Sequence, residues 1–449
     1  MTTPAVPMAR PLTPALPAAG RSLPITGQVI PSFPLVGSHF ALGFGWALAG
    51  AVGLVWLAPQ LATGSFLDRR VLALTHLCTL GFLTTVITGV LYQVFPAMLG
   101  IGERSRPVAW AALGLHALGT ALLAGGLLLG QRYLQSAGWS VLFVAVFGTA
   151  WNLLPQRRRA PRNRQLGLYV SYAHIGFGCA MLVAGVRIGD ALGWWTTPRL
   201  GLISAHLHLG LAGFVTMTAF GLGSRMIPMF YGSPTPIPAR LDTWMPRLLG
   251  TAVLVYATGA VLGAAPLAWA GTTLMATAGA LFCWLGLGWF RTRARRALDP
   301  ATGLLTLALA SLAAAIPLGL TAAALGPRRP GVLVAYVLAL LLGWAGALVL
   351  GVSFRVLPTL TWHHRFATRM GRPGTPAMPA MLHRGLGITA AVAGALGLLV
   401  LVPGVAAGSA PAARAGAALF TLAITATILH HLRMLLIGRA RPAASGTLP

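Results

Sequence analysis

The sequence predicts an all-α integral membrane protein of about twelve transmembrane helices, arranged as three pseudo-repeated four-helix units. Three observations carry this: the composition, the spacing of the apolar stretches, and one motif that recurs along the chain. Of 449 residues, 56% are hydrophobic and only 8% are charged, about a third of the charged share with which a soluble domain covers its surface. Stretches long enough to cross about 30 Å of hydrocarbon fall near 34–58, 71–99, 107–130, 137–155, 166–188, 200–230, 245–265, 268–290, 301–325, 331–359, 384–406 and 412–437. Pro266 and a short apolar turn are all that separate the seventh stretch from the eighth. The units are 34–164, 165–299 and 300–438, preceded by a Pro- and Ala-rich tail (1–33) and followed by a short one (439–449).

Charge gives the orientation. The net charge of +27 is of a size that nucleic acid would attract, but its distribution excludes that partner and points to a lipid bilayer. The arginines sit in short loops between apolar stretches, and there is no lysine. Even-numbered connections carry Arg157, Arg158, Arg159, Arg162 and Arg164, then Arg291, Arg293, Arg295 and Arg296, then Arg365, Arg369 and Arg372. Odd-numbered ones carry few. The positive-inside rule therefore predicts cytoplasmic termini and an inner, cytoplasmic membrane location. The N-terminal tail has no continuous apolar core with a cleavage site, so it is expected to be a disordered cytoplasmic segment, not a signal peptide. Cys78, Cys179 and Cys283 are far apart inside apolar stretches and define no disulfide framework.

The recurring motif lies in the second helix of each unit. It is His76, Gly81-Phe82, Gly89 and Pro96 in the first copy and His208, Gly213-Phe214, Gly221 and Pro228 in the second. The third keeps Gly343-Trp344, Gly351 and Pro358, with Leu338 where the histidine stands in the others. Twelve residues after the first glycine come Gln93, Arg225 and Arg355. The first helices match in two units, His39 with His174 and Gly43 with Gly178. At 100° per residue the glycines and proline share one strip, where a neighbouring helix can approach closely. The histidine looks elsewhere.

Intramembrane ionisable residues are costly and mark function by default, and a neutral imidazole is a good ligand for haem iron or copper. His76 and His208 hold equivalent positions at similar depth, so their two helices are placed to clamp one haem axially. His206 and His208 form an H-x-H, whose side chains point about 200° apart and address different clefts. His116 matches Tyr256 in the seventh helix, a polar group near mid-membrane that suits either a hydrogen bond or a cofactor. The site residues expected are thus His76, His206 and His208 for the cofactor, with His116 joining them for a metal. His39, His174, His363-His364 and His430-His431 are expected to be structural. Arg225 and Arg355 are expected to snorkel to the inner interface.

Residues 75–100 (THLCTLGFLTTVITGVLYQVFPAMLG) and 205–232 (AHLHLGLAGFVTMTAFGLGSRMIPMFYG) resemble the haem-copper oxidase subunit I superfamily, and more closely its NnrS-type membrane haem-copper proteins. The resemblance implies a twelve-helix bundle of three four-helix arcs over 34–437. It also implies haem b as cofactor, with copper a second candidate, and a low-spin haem ligand at the position of His76. The sequence departs from the oxidases in three places: no tenth-helix histidine, no seventh-helix histidine pair, and no acids of the proton-conducting kind. The expectation is a haem-binding membrane protein concerned with electron transfer or nitric oxide metabolism, with a membrane or periplasmic redox partner, and not a proton-pumping oxidase. The competing expectation is a transporter for copper, haem or another small solute.

Overall fold

The computed structural model describes residues 31–159 and 163–437. Almost all of the expected N-terminal tail and all of the C-terminal one lie outside the described residues. Twelve long apolar helices follow one another: α1 (Phe33–Trp56), α2 (Arg69–Leu99), α3 (Arg106–Leu129), α4 (Arg132–Arg159), α5 (Arg164–Leu192), α6 (Arg199–Tyr231), α7 (Ala239–Leu262), α8 (Ala265–Arg291), α9 (Pro300–Leu325), α10 (Pro330–Arg369), α11 (Arg384–Ala406) and α12 (Ala410–Leu436). No strand occurs among the described residues. A backbone can satisfy its own polar groups in hydrocarbon only as a helix or a closed barrel, and this chain takes the first solution throughout.

Sequential helices pack side by side, and α12 packs against α1, so the bundle closes on itself. Three helices lie inside. α2, α6 and α10 are the longest, at 31, 33 and 40 residues, and are buried over 61, 56 and 78% of their most apolar stretch; the other nine stay at 50% or below. Each inner helix packs against the first and third helices of its own unit. The third and fourth helices form hairpins, closed by Gly130, Gly263 and Gly408 at φ of 71, 67 and 73°. A side chain is strained in that left-handed region, which is why glycine stands at each turn.

The motif glycines receive the first helix of the same unit. A Cβ on Gly89 would meet that of His39 at 2.6 Å, and one on Gly221 would meet Tyr169 at 2.5 Å. Between α5 and α6 backbone meets backbone: a Cβ on Gly176 would stand 2.6 Å from the Gly213 carbonyl oxygen. The largest boundary differences from expectation are in α7 and α10. α7 begins at Ala239, six residues early, and α10 runs through Pro358 to residues 363–364, which were expected to lie in a loop. Pro358 sits eight residues before the end of the α-helical part of α10, where surrounding packing outweighs the loss of one backbone bond.

Each inner helix also carries a π-helical segment: Leu77–Thr84 in α2, Leu209–Thr216 in α6 and Ala339–Gly346 in α10. The segments start directly after His76, His208 and Leu338, the three equivalent positions of the motif. Those of α2 and α6 both pack on that of α10. A π segment inserts extra backbone per turn and re-aims the side chains beside it, and such segments cluster at functional sites.

Candidate functional site

Four of the candidate histidines lie around the start of these π segments. His76 on α2 faces His206 on α6, with ring centroids 6.1 Å apart and planes inclined by 24°. The pairing expected from the repeat was His76 with His208. Residues two apart on a helix point to opposite sides, so only one member of the H-x-H can turn toward α2, and it is His206.

Hydrogen bonds fix the tautomers. His76 Nδ1 lies 2.8 Å from the Leu72 carbonyl oxygen and His206 Nδ1 lies 2.9 Å from that of Ala180, on α5. A carbonyl only accepts, so each Nδ1 carries the proton and donates it. Each neutral ring then keeps its lone pair on Nε2. Both rings are half-buried, and each is held by one backbone atom in the manner of a metal-binding imidazole.

His208 occupies a second, separate cluster on the opposite side of α6. Its Nδ1 donates to the Ser204 carbonyl at 2.9 Å, and its Nε2 receives the Tyr336 hydroxyl of α10 at 3.4 Å. Its ring also packs on Tyr256 of α7 at 4.1 Å, whose hydroxyl meets Ser204 Oγ at 2.6 Å. The lone pair that is open in His76 and His206 is engaged here. His116 is committed differently. Its Nε2 donates to the Leu80 carbonyl at 2.9 Å, inside the π segment of α2, and Thr85 Oγ1 bonds the same oxygen at 3.1 Å. His116 therefore props the backbone irregularity.

His39 and His174 are engaged in helix packing. His39 bonds its own helix through Leu35 and rests on Tyr92, and His174 bonds Val170 with its edge to Phe214. Arg225 and Arg355 each reach an acid at the start of a neighbouring helix, Asp242 in the first turn of α7 and Asp299 at the cap of α9. Arg225 Nη2 binds Asp242 at 2.6 Å with both side chains 13% exposed, and Arg355 binds Asp299. Each pair is a charge-assisted contact at a helix end, and the sequence motif did not include either aspartate. Outside the membrane segments, the Arg70 side chain and backbone N–H hold the Asp68 carboxyl at about 2, below its ordinary 3.8, where it caps α2.

Among the described residues, no group of three or more His, Cys, Asp and Glu side chains stands close enough to hold a metal ion. The chain matches no protein-family model and no curated protein. Fold and composition define an all-α, multi-pass protein of the lipid bilayer.

Proposed function

We propose that this chain is a membrane haem protein in which His76 and His206 would hold the iron, serving electron transfer or the chemistry of a gas such as nitric oxide. The observation that carries this reading is the pair of facing imidazoles, each with Nδ1 fixed on a carbonyl and Nε2 left as the ligating atom. Imidazole nitrogens bind metals at about 2.0–2.1 Å, and ring centroids 6.1 Å apart leave room for both rings to reach one ion. Only two protein ligands are needed, because a porphyrin supplies the other four. That favours haem over a copper ion held by protein side chains alone, which would require a larger histidine cluster. Bound haem would supply a one-electron couple set by its axial ligands and by burial. The pair sits on α2 and α6, the helices whose motif resembles the oxidase and NnrS-type proteins, in an inner membrane with cytoplasmic termini.

The alternative reading, a transporter for copper, haem or a small solute, has the three-unit arrangement in its favour. Absorption spectroscopy on the purified protein separates the two. A Soret band is expected from haem-replete cells, lost in His76→Ala and His206→Ala and retained in His208→Ala. Loss in His208→Ala with retention in His206→Ala would overturn the assignment of the pair. A colourless protein whose expression alters metal uptake would favour transport.

A further inference from the structure

The chain carries 32 arginines and five acids. Each acid is already paired with an arginine: Asp68 with Arg70, Glu103 with Arg106, Asp190 with Arg187, Asp242 with Arg225 and Asp299 with Arg355. No unpaired carboxylate is left for the others, so anions from outside the chain must balance them. One arginine is mounted where it could meet such an anion. Arg104, in the connection between α2 and α3, places its guanidinium carbon over the Trp151 ring, 4.0 Å from the ring centre, near the arginine-rich end of α4. Its side chain makes no hydrogen bond or ion pair among the described residues. A guanidinium resting on a ring keeps its N–H edge free, and that edge matches two oxygens of a phosphate.

The other arginines that lie over rings are used differently. Arg293, 3.9 Å from the Phe290 ring centre, spends its N–H groups on the carbonyls of Phe290 and Arg296. Arg247 bonds the Thr243 carbonyl of its own helix, and Arg132 lies 5.6 Å from the ring of its neighbour Tyr133. The contact of Arg104 instead joins two elements, and buried bonds hold it in place. Asn152, fully buried beside Trp151, accepts the Ser105 N–H on Oδ1 at 2.7 Å and donates to the Ser105 carbonyl at 2.9 Å. Its own carbonyl accepts the Arg104 N–H at 3.2 Å, and its amide also reaches the Tyr92 hydroxyl at 3.2 Å. The connection is thereby fixed to the end of α4, and Arg104 with it.

The surface beside this arginine is apolar. Trp151 is 46% exposed, at the end of a spanning helix, where amphipathic rings mark the membrane boundary. Phe143, Phe147 and Trp151 stand four residues apart and share one face of α4, with the first two rings stacked at 4.3 Å. Phe147 and Val144 are exposed, and a Cβ on Gly148 would meet nothing within 4 Å. A shallow apolar track thus runs from the guanidinium into the depth of the bilayer. A free phosphate would use only the charge; a phospholipid uses both parts.

We propose that the arginine-rich end of α4 is a binding site for an anionic phospholipid, with the lipid phosphate on Arg104 and an acyl chain along Trp151 and Phe147. The site is independent of the His76–His206 pair.

Native mass spectrometry tests this on the full chain released from nanodiscs of equal parts phosphatidylglycerol and phosphatidylcholine with the same acyl chains. Phosphatidylglycerol is expected to be retained preferentially. Arg104→Gln should weaken its binding about fivefold and leave phosphatidylcholine unaffected, and Trp151→Leu should act in the same direction. Unchanged melting temperatures in pure phosphatidylcholine check that both variants fold. Three results would each overturn the proposal: no lipid preference, undiminished binding in Arg104→Gln, or an equal loss in Arg291→Gln. Arg291 is an exposed arginine at the end of α8, so an equal loss there would mean diffuse surface attraction. Displacement of the lipid by free glycerol phosphate would assign the site to a soluble anion instead and overturn the lipid reading.

Discussion

α6 and α10 are built to one plan and finished differently. Both are long inner helices with a π segment at the same motif position, a glycine strip facing the first helix of their unit, and an arginine paired to an acid. On α6 the residue before the π segment is His208, with His206 two residues earlier; on α10 it is Leu338, and the π segment after it is buried without exception. Trp344 of that segment is fully buried and donates Nε1–H to Thr216 Oγ1 of α6 at 3.2 Å. The backbone irregularity therefore does not depend on the histidine. Two copies dress it with imidazoles, and the third fills the centre and supports the other two.

Three sets of substitutions press on that comparison. The largest effect is expected where equivalent arginines differ in burial. Removing the charge from Asp242 leaves Arg225 confined without its counter-ion, so Asp242→Asn should cost about 3 kcal/mol. Asp299→Asn should cost about 1 kcal/mol or less, because that pair is 29 and 39% exposed and asparagine still caps α9. Thermal unfolding in detergent checks both, and equal losses would mean that the two inner helices bear the same electrostatic load.

The next concerns how closely each inner helix meets its neighbour. In Gly176→Ala the new methyl meets the backbone of α6, which cannot rotate aside, so a loss of about 1–3 kcal/mol is expected. On α10 the position facing Gly343 is already a side chain, Ser311, and Ser311→Ala should be close to neutral by the same measurement. A tolerated Gly176→Ala would show that α5 and α6 can separate.

The third asks whether α10 could take a histidine. Leu338→His buries a polar ring without a built partner, at about 1–3 kcal/mol, and should leave the absorption spectrum of the protein unchanged. A new band would mean that the third position is a dormant ligand site rather than a support.

Much of this was legible in the sequence. Apolar stretches of about 20 residues with arginine-rich loops fixed the helix count, because hydrocarbon leaves a chain so few ways to satisfy its backbone. The glycine strip was legible too, since spacing along a helix sets which residues share a face. The choice of His206 over His208 was not. H-x-H announces two clefts but not which of them contains another histidine. The buried pair at His430 and His431 had no periodic signal at all; its hydrogen-bond partner, Ser353, lies 78 positions away on another helix.

By itself, then, the sequence determined a membrane bundle of twelve helices and a short set of residues too polar to be there without reason. The π segments, the partners of Arg225 and Arg355 and the free nitrogen of each imidazole were decided only when the helices came together. Hydropathy acts on each stretch alone, whereas a lone pair or a proton is assigned by whichever group a neighbouring helix brings within 3 Å or so of it.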